Sequence, residues 1–144
     1  MTRILVAFDG SEPALRAVRH VAELAKLLKS VDALLLYVER SIPMRDRLFN
    51  GRPSEVQRLE APLREAGQEL LAPAKDILTR AGIHATVHVE FGDPCQVIAE
   101  HAKLHHCDMV VMGTHGRGAL GSLVLGSVAT KVLHLAHVPV TLVR

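Results

Sequence analysis

The chain has 144 residues, 49% of them hydrophobic but only 3% aromatic, with a formal net charge of +2. That length suits one domain, residues 1–144, around an aliphatic core, while the scarcity of rings and the near-balanced charge argue against nucleic acid or an anionic membrane as partner. No apolar run is long enough to span a bilayer, and the start, Met-Thr-Arg followed by Ile4 to Phe8, is too short for a secretory h-region, so a cytoplasmic location is expected.

In chain order, Ile4 to Phe8 is an unbroken apolar run, the pattern of a strand covered by helices on both faces. It stops at Asp9-Gly10-Ser11. Ser11 can cap a first helix whose apolar stripe is Ala14, Val18, Val21, Ala25 and Leu28, with Pro13 accepted in its first turn. Ala33 to Val38 is a second central strand. The stretch from Ser41 to Pro53, with Pro43, Asn50-Gly51, Arg45, Arg47 and Arg52, reads either as a mobile surface loop at the mouth of a site or as a solvated linker. Ser54-Glu55-Val56-Gln57 reads as a capping box opening a second helix; Pro62 and Pro73 imply a break or kink within it, and Gly82 closes it.

Ile83 to Phe91 alternates strictly, with Ile83, Ala85, Val87, Val89 and Phe91 on one side and His84, Thr86, His88 and Glu90 on the other, which predicts an outer strand with one wet face. Asp93-Pro94-Cys95-Gln96 caps a third helix running through Leu104. Met109 to Met112 is a further central strand, a fourth helix begins near Gly126-Ser127 and runs to about Ala136, and Val138 to Val143 is the fifth strand, with Pro139 at its start. Strand and helix patterns thus alternate from end to end. That predicts an α/β domain with a five-stranded, mostly parallel sheet and helices on both faces. Cys95 and Cys107 lack metal-knuckle spacing and suit a reducing compartment; a first-turn thiolate is conceivable at Cys95, against the plainer role of a small core residue.

The chemistry concentrates in the last quarter. Gly113 and Gly116 follow an apolar run, nine residues later comes Gly126-Ser127, and from Met109 to Arg144 there is no Asp or Glu. Flexible glycines, the hydroxyls of Thr114, Ser122 and Ser127, and the cations Arg117, Lys131 and Arg144 together suit an anion, above all nucleotide phosphates. In a doubly wound sheet the ligand crevice lies beyond the carboxyl ends of the strands, where strand order reverses. If the first and fourth strands are neighbours, Asp9 faces the glycine loop across that crevice. Glycines are expected there because a Cβ would keep the backbone from closing on phosphate oxygens, and positive φ is expected with them. Gly116 to Gly121 also fits G-x-G-x-x-G, but no acid follows about twenty residues on for a dinucleotide ribose, and no G-x-x-x-x-G-K-[ST] occurs.

The run from Gly113 to Val128, Gly-2x-Gly-9x-Gly-Ser, resembles the ATP-binding motif of the universal stress protein family. The resemblance extends over nearly the whole chain: Ile4 to Glu12 is similar to the family's opening strand and turn, Gly92-Asp93-Pro94 to its entry into the third helix, and Val138-Pro139-Val140 to its last strand. It implies a Rossmann-like or flavodoxin-like sheet ordered 3-2-1-4-5. It implies ATP as ligand, carried with Mg²⁺, with the adenine held at Asp9 and by the backbone of Val38, and with Ala7 beside it. It further implies ribose and phosphate contacts from Met112, Gly113, Gly116, Gly126, Ser127 and Val128. Arg117 reads equally as a phosphate donor or a solvated side chain. Gly118 and Gly121 make the spacer more flexible than the function needs.

His101 and His105 have the i, i+4 spacing of a metal pair, but without H-E-x-x-H they read as cations at a helix C-terminus, and no metal site is assigned. No nucleophile elbow is present, and the phosphate-binding segment holds no carboxylate to act as base, so no catalytic residue is assigned. The favoured function is an ATP-binding regulatory or stress-response protein acting on an unknown partner; the alternative is a slow ATPase or nucleotidyl-transferring enzyme. In the order implied by the family the fifth strand is an uncovered edge, so a homodimer through residues 138–143 is expected.

Overall fold

Five runs rich in Ile, Leu and Val pair into one parallel sheet. The computed structural model describes residues 1–40, 52–116 and 125–144. Its elements are β1 (Thr2–Ala7), α1 (Glu12–Ala25), β2 (Val31–Glu39), α2 (Pro53–Arg80), β3 (His84–Phe91), α3 (Pro94–Leu104), β4 (Met109–Gly113), α4 (Ser127–Leu135) and β5 (Val140–Val143). The strands lie in the order β3-β2-β1-β4-β5, every neighbouring pair parallel. The doubly wound α/β arrangement expected from the alternation is therefore present.

Side chains of a strand alternate between faces, so β1 feeds two apolar layers at once. On one face Ile4, Val6 and Phe8, with Ala33 and Leu35 of β2, pack against Val18 and Val21 of α1 and Leu71 and Leu78 of α2. On the other, Leu5, Leu34, Leu36 and Val110 meet Ile98 and Ala102 of α3 and Ala129 and Val132 of α4. Burial of each such Leu, Ile or Val contributes about 1.5–3 kcal/mol. At the β3 edge the alternation survives: Ala85 and Val89 are buried while His84 and Thr86 face water.

The caps explain where two helices begin. Ser11 Oγ accepts the Ala14 N–H at 3.3 Å, and Asp93 Oδ1 accepts those of Cys95 and Gln96 at 3.0 and 3.1 Å. The Gln96 N–H leads in holding the Asp93 carboxyl below the ordinary carboxylate range. α1 stops at Ala25, so Leu28 falls beyond the helix and is exposed. α2 departs from expectation. It opens at Pro53, its cap position is Arg52 with no side-chain bond, and Ser54 sits inside the first turn instead of capping it. The fixed φ of Pro53 is already helical, which moves the start one residue ahead of the capping box.

Nor do Pro62 and Pro73 break α2, which runs for 28 residues. Both prolines lie on its exposed face, where water can satisfy the carbonyls they leave without donors. The buried stripe of Val56, Gly67, Leu71, Ala74 and Leu78 meanwhile continues unbroken along the sheet side. Gly82, at φ 76°, closes the helix as expected. Cys95 and Cys107 are free and buried, and burial pushes both thiols up, so they serve as core. His101 lies in the last turn of α3 and His105 at its cap, as expected, and burial leads in lowering both pKa values, which favours the neutral rings. Residues 41–51 and 117–124, which include most of the arginine-bearing loop, Arg117, Gly118, Gly121 and Ser122, lie outside the described residues. Among the described residues no helix is long and apolar enough to cross a membrane.

Candidate functional site

Chain order reverses between β1 and β4, which pair directly with Ala7 opposite Met112. Beyond their carboxyl ends opens a cleft of about 470 Å³. It is lined by Ala7, Asp9, Val38, Met112, Gly113, Gly116, Gly126, Ser127 and Val128. These are all the sequence-named positions except Arg117, which lies outside the described residues.

Local hydrogen bonds bring the parts together. Asp9 Oδ1 accepts the Ser11 N–H at 2.9 Å, and Gly10 takes φ 82° to make the turn off β1. Ser11 Oγ in turn donates to the His115 carbonyl at 3.4 Å, joining the β1 turn to the β4 turn. The Thr114 N–H donates to the Val143 carbonyl at 2.9 Å, and the Gly126 N–H to the Thr114 carbonyl at 2.8 Å, which sets the start of α4 against the end of β4. The first amides of α4, on Ser127, Val128 and Ala129, have no earlier helical carbonyl to bond. Its cap residue, Gly126, offers no side chain to take their place. Amides of this kind at the positive end of a helix dipole suit an anion.

The glycines also answer a packing need within the fold. A Cβ on Gly113 would stand 2.8–2.9 Å from Pro13 and the Ala14 nitrogen, so this glycine admits the first turn of α1. On Gly116 it would meet Asp9 Oδ2 at 2.8 Å, and on Gly126 the Thr114 carbonyl oxygen at 3.1 Å. None of the three has positive φ; among the described residues that conformation falls to Gly10, Gly82, Gly92 and His106. Close approach of the first turn of α1 at Gly113, of the Asp9 carboxylate at Gly116 and of the Thr114 carbonyl at Gly126, not a left-handed turn, is what crowds a side chain here.

The cleft also recruits residues that no motif marked: Tyr37, Glu39 and Arg40 from the end of β2, and Ile98, with the helix-entry residue Pro94, from α3. Thr114 and His115, inside the glycine motif, line it from the turn after β4. The Tyr37 hydroxyl donates to Glu39 at 2.7 Å. Thr114 Oγ1 lies 2.8 Å from His115 Nδ1, while His115 Nε2 is buried with no hydrogen-bond partner among the described residues. The signal for the β2 residues was positional: every parallel strand in such a sheet ends on the same rim. Asp9 and Glu39 are the carboxylates among the described lining. Leu36, Ile98 and Met112 make an apolar floor, so the cleft suits a molecule with a flat apolar body and an anionic tail.

The profile of the universal stress protein family matches residues 1–144. A universal stress protein of Thermus aquaticus is 38% identical over 142 residues, covering 98% of this chain and 97% of its own length. The solved structure of the hypothetical protein MJ0577, from Methanocaldococcus jannaschii, superposes with a TM-score of 0.82 at 28% identity, over 99% of this chain and 94% of that one. At 24% identity, where only the fold is shared, the universal stress protein of Archaeoglobus fulgidus in complex with dAMP aligns with a TM-score of 0.68 over 100% of this chain and 98% of that one. Two further neighbours, at 23% and 22% identity, were solved with cAMP and with AMP.

Proposed function

Because this chain belongs to the universal stress protein family, we propose that it is an ATP-binding regulatory protein whose nucleotide state alters its conformation or its partners. The observation that carries this reading is the convergence of nine sequence-named positions on one cleft with the open end of α4 in its wall. In this reading the adenine lies by Asp9 and the Val38 backbone, next to Ala7. Met112, Gly113, Gly116, Gly126, Ser127 and Val128 take the ribose and phosphates, with Arg117 a charged donor to the phosphates. The adenine nucleotides held by structural neighbours support the ligand class. Mg²⁺ would be carried by the phosphates, since the described lining offers only Asp9 and Glu39 as carboxylates.

Binding is favoured over turnover. Hydrolysis needs a group that orients or deprotonates water near the terminal phosphate, and the segment from Met109 to Arg144 has no Asp or Glu. Mass spectrometry of nucleotide released from the purified protein, followed by steady-state turnover of labelled ATP, tests both parts. The expected result is a co-purifying adenine nucleotide and turnover far below the ~1–1000 s⁻¹ of ordinary enzymes. Rapid release of phosphate or pyrophosphate, lost on mutation of the cleft, would establish the enzyme reading instead.

Two features extend the proposal. Among the described residues β5 pairs with β4 on one side only, leaving an edge that a second chain's β5 can continue about a two-fold axis to give a homodimer through residues 138–143. The two free thiols, Cys95 and Cys107, favour a reducing, cytoplasmic setting.

A further inference from the structure

Away from the cleft, the fold assembles a cluster of three histidines that is scattered in sequence. His88 projects from β3 on the face opposite to buried Val89, and His101 and His105 come from the last turn and the cap of α3. Their ring centroids are 4.9 Å apart for His88 and His105, 5.3 Å for His101 and His105, and 6.0 Å for His88 and His101. One nitrogen of each ring lies within 4.8 Å of its counterparts on the other two. All three rings are half-buried, and His101 Nδ1 is buried with no hydrogen-bond partner among the described residues. A buried ring nitrogen with nothing to bond is costly, and a cation held among three imidazoles removes that cost.

We propose that His88, His101 and His105 form a binding site for one divalent first-row transition metal, with Zn²⁺ as the fitting ion. Tetrahedral ligation at about 2.0–2.1 Å places ligand nitrogens about 3.3 Å apart, so the rings need only close in by small side-chain rotations. An all-imidazole set selects Zn²⁺ and its neighbours over Mg²⁺ or Ca²⁺, which prefer oxygen. Glu90, two residues along β3 from His88 and in electrostatic contact with all three rings, lends the negative charge such a site needs. Glu100 acts on His101 in the same sense, while Arg3 and His106 oppose it at His105. Arg3 also donates to the His105 carbonyl at 3.0 Å and to Asp32 at 2.9 Å, which fixes the helix end that presents the rings.

The site is separate from the nucleotide cleft. Pro94 and Ile98 of α3 line the cleft and none of the three histidines does; the two helix-borne rings lie about 5–11 Å beyond Ile98 along the axis. A bound metal would clamp the β3 edge strand to α3, a junction otherwise left to the polar face of β3.

The test uses the untagged full chain, stripped with chelator and free of nucleotide. Co²⁺ titration should produce the visible absorption of a tetrahedral site at one metal per chain, Zn²⁺ should displace it, and Zn²⁺ should raise the melting temperature. His88→Gln and His101→Gln, each shown by circular dichroism to be folded, should weaken Zn²⁺ binding at least about a hundredfold. Absence of the tetrahedral Co²⁺ spectrum in the wild type overturns the proposal. So does wild-type Zn²⁺ affinity in the folded His88→Gln chain, because the helix pair alone or another surface histidine would then account for the binding.

Discussion

Replacing Gly113 by alanine should destabilise the fold before it touches any ligand. The added Cβ falls 2.8 Å from Pro13 Cβ and 2.9 Å from both the Pro13 carbonyl carbon and the Ala14 nitrogen, separations that real Cβ atoms do not tolerate. None of these atoms is the free end of a flexible side chain. The first turn of α1 must therefore move off the sheet, straining the Ser11 cap and the turn that holds Asp9. Overpacking of this kind costs about 1–3 kcal/mol. With an unfolding entropy of about 0.3 kcal/mol/K for a chain this long, that lowers the melting temperature by about 3–10 °C. Scanning calorimetry of the ligand-free protein measures it, with Gly126→Ala as the comparison, since there the nearest atom is the Thr114 oxygen at 3.1 Å and a smaller drop is expected. A Gly113→Ala chain melting within about 1 °C of wild type would refute the packing argument, and would return Gly113 to a role in phosphate approach alone. A loss of nucleotide binding in this variant does not by itself locate the phosphates, because α1 and the cleft wall move together.

The Asp32 carboxyl is raised by burial, but its hydrogen bonds to His84 and Arg3 outweigh this and hold it below its ordinary value. A group depressed in the folded state contributes stability above its unfolded pKa and loses that contribution as pH falls through the folded value. Wild-type melts should therefore decline below about pH 4 more steeply than those of Asp32→Asn, and parallel profiles would remove Asp32 from the account. Dimer assembly is tested at the β5 edge. Val140 and Leu142 pack on the α3 and α4 layer, so lysines there would damage the core. The carbonyls of Pro139 and Val143 point to β4, which turns the Val140 amide to the open edge. Val140→Pro should remove that donor, leave a folded monomer, and halve the sedimenting mass relative to wild type. A wild type that sediments as a monomer at micromolar concentration, or a folded Val140→Pro that remains a dimer, contradicts the edge interface.

What the sequence revealed depended on how local the cause was. The alternation of Ile83 to Phe91 placed β3 at an edge because burial on one face is written into every second residue. Ser11 and Asp93 announced α1 and α3 because a cap bonds amides only two or three residues away. The α2 start was misplaced because Pro53 competes with Ser54 at the same turn, and the sequence does not rank them. The glycine motif located the cleft, but not why glycine is needed, since the atoms that exclude a Cβ at Gly113 belong to Pro13 and Ala14, a hundred residues away in the chain. Tyr37, Glu39 and Arg40 had no motif of their own and joined the cleft only because β2 lies beside β1. His88 met His101 and His105 in the same way, through packing that no local spacing reveals.

The central claim is that an adenine nucleotide binds with its phosphates at the start of α4, and calorimetric titration of Ser127→Asp beside wild type tests it most directly. Ser127 is an exposed residue in the first turn of α4, where an aspartate favours the helix by about 0.3–1 kcal/mol while repelling a phosphate in the same place. Wild type should bind one Mg·ATP per chain. Ser127→Asp should be as stable as wild type, bind Mg·ATP at least about tenfold more weakly, and keep whatever affinity the wild type shows for adenosine. No Mg·ATP binding by the wild type, or wild-type affinity in Ser127→Asp, would contradict the account.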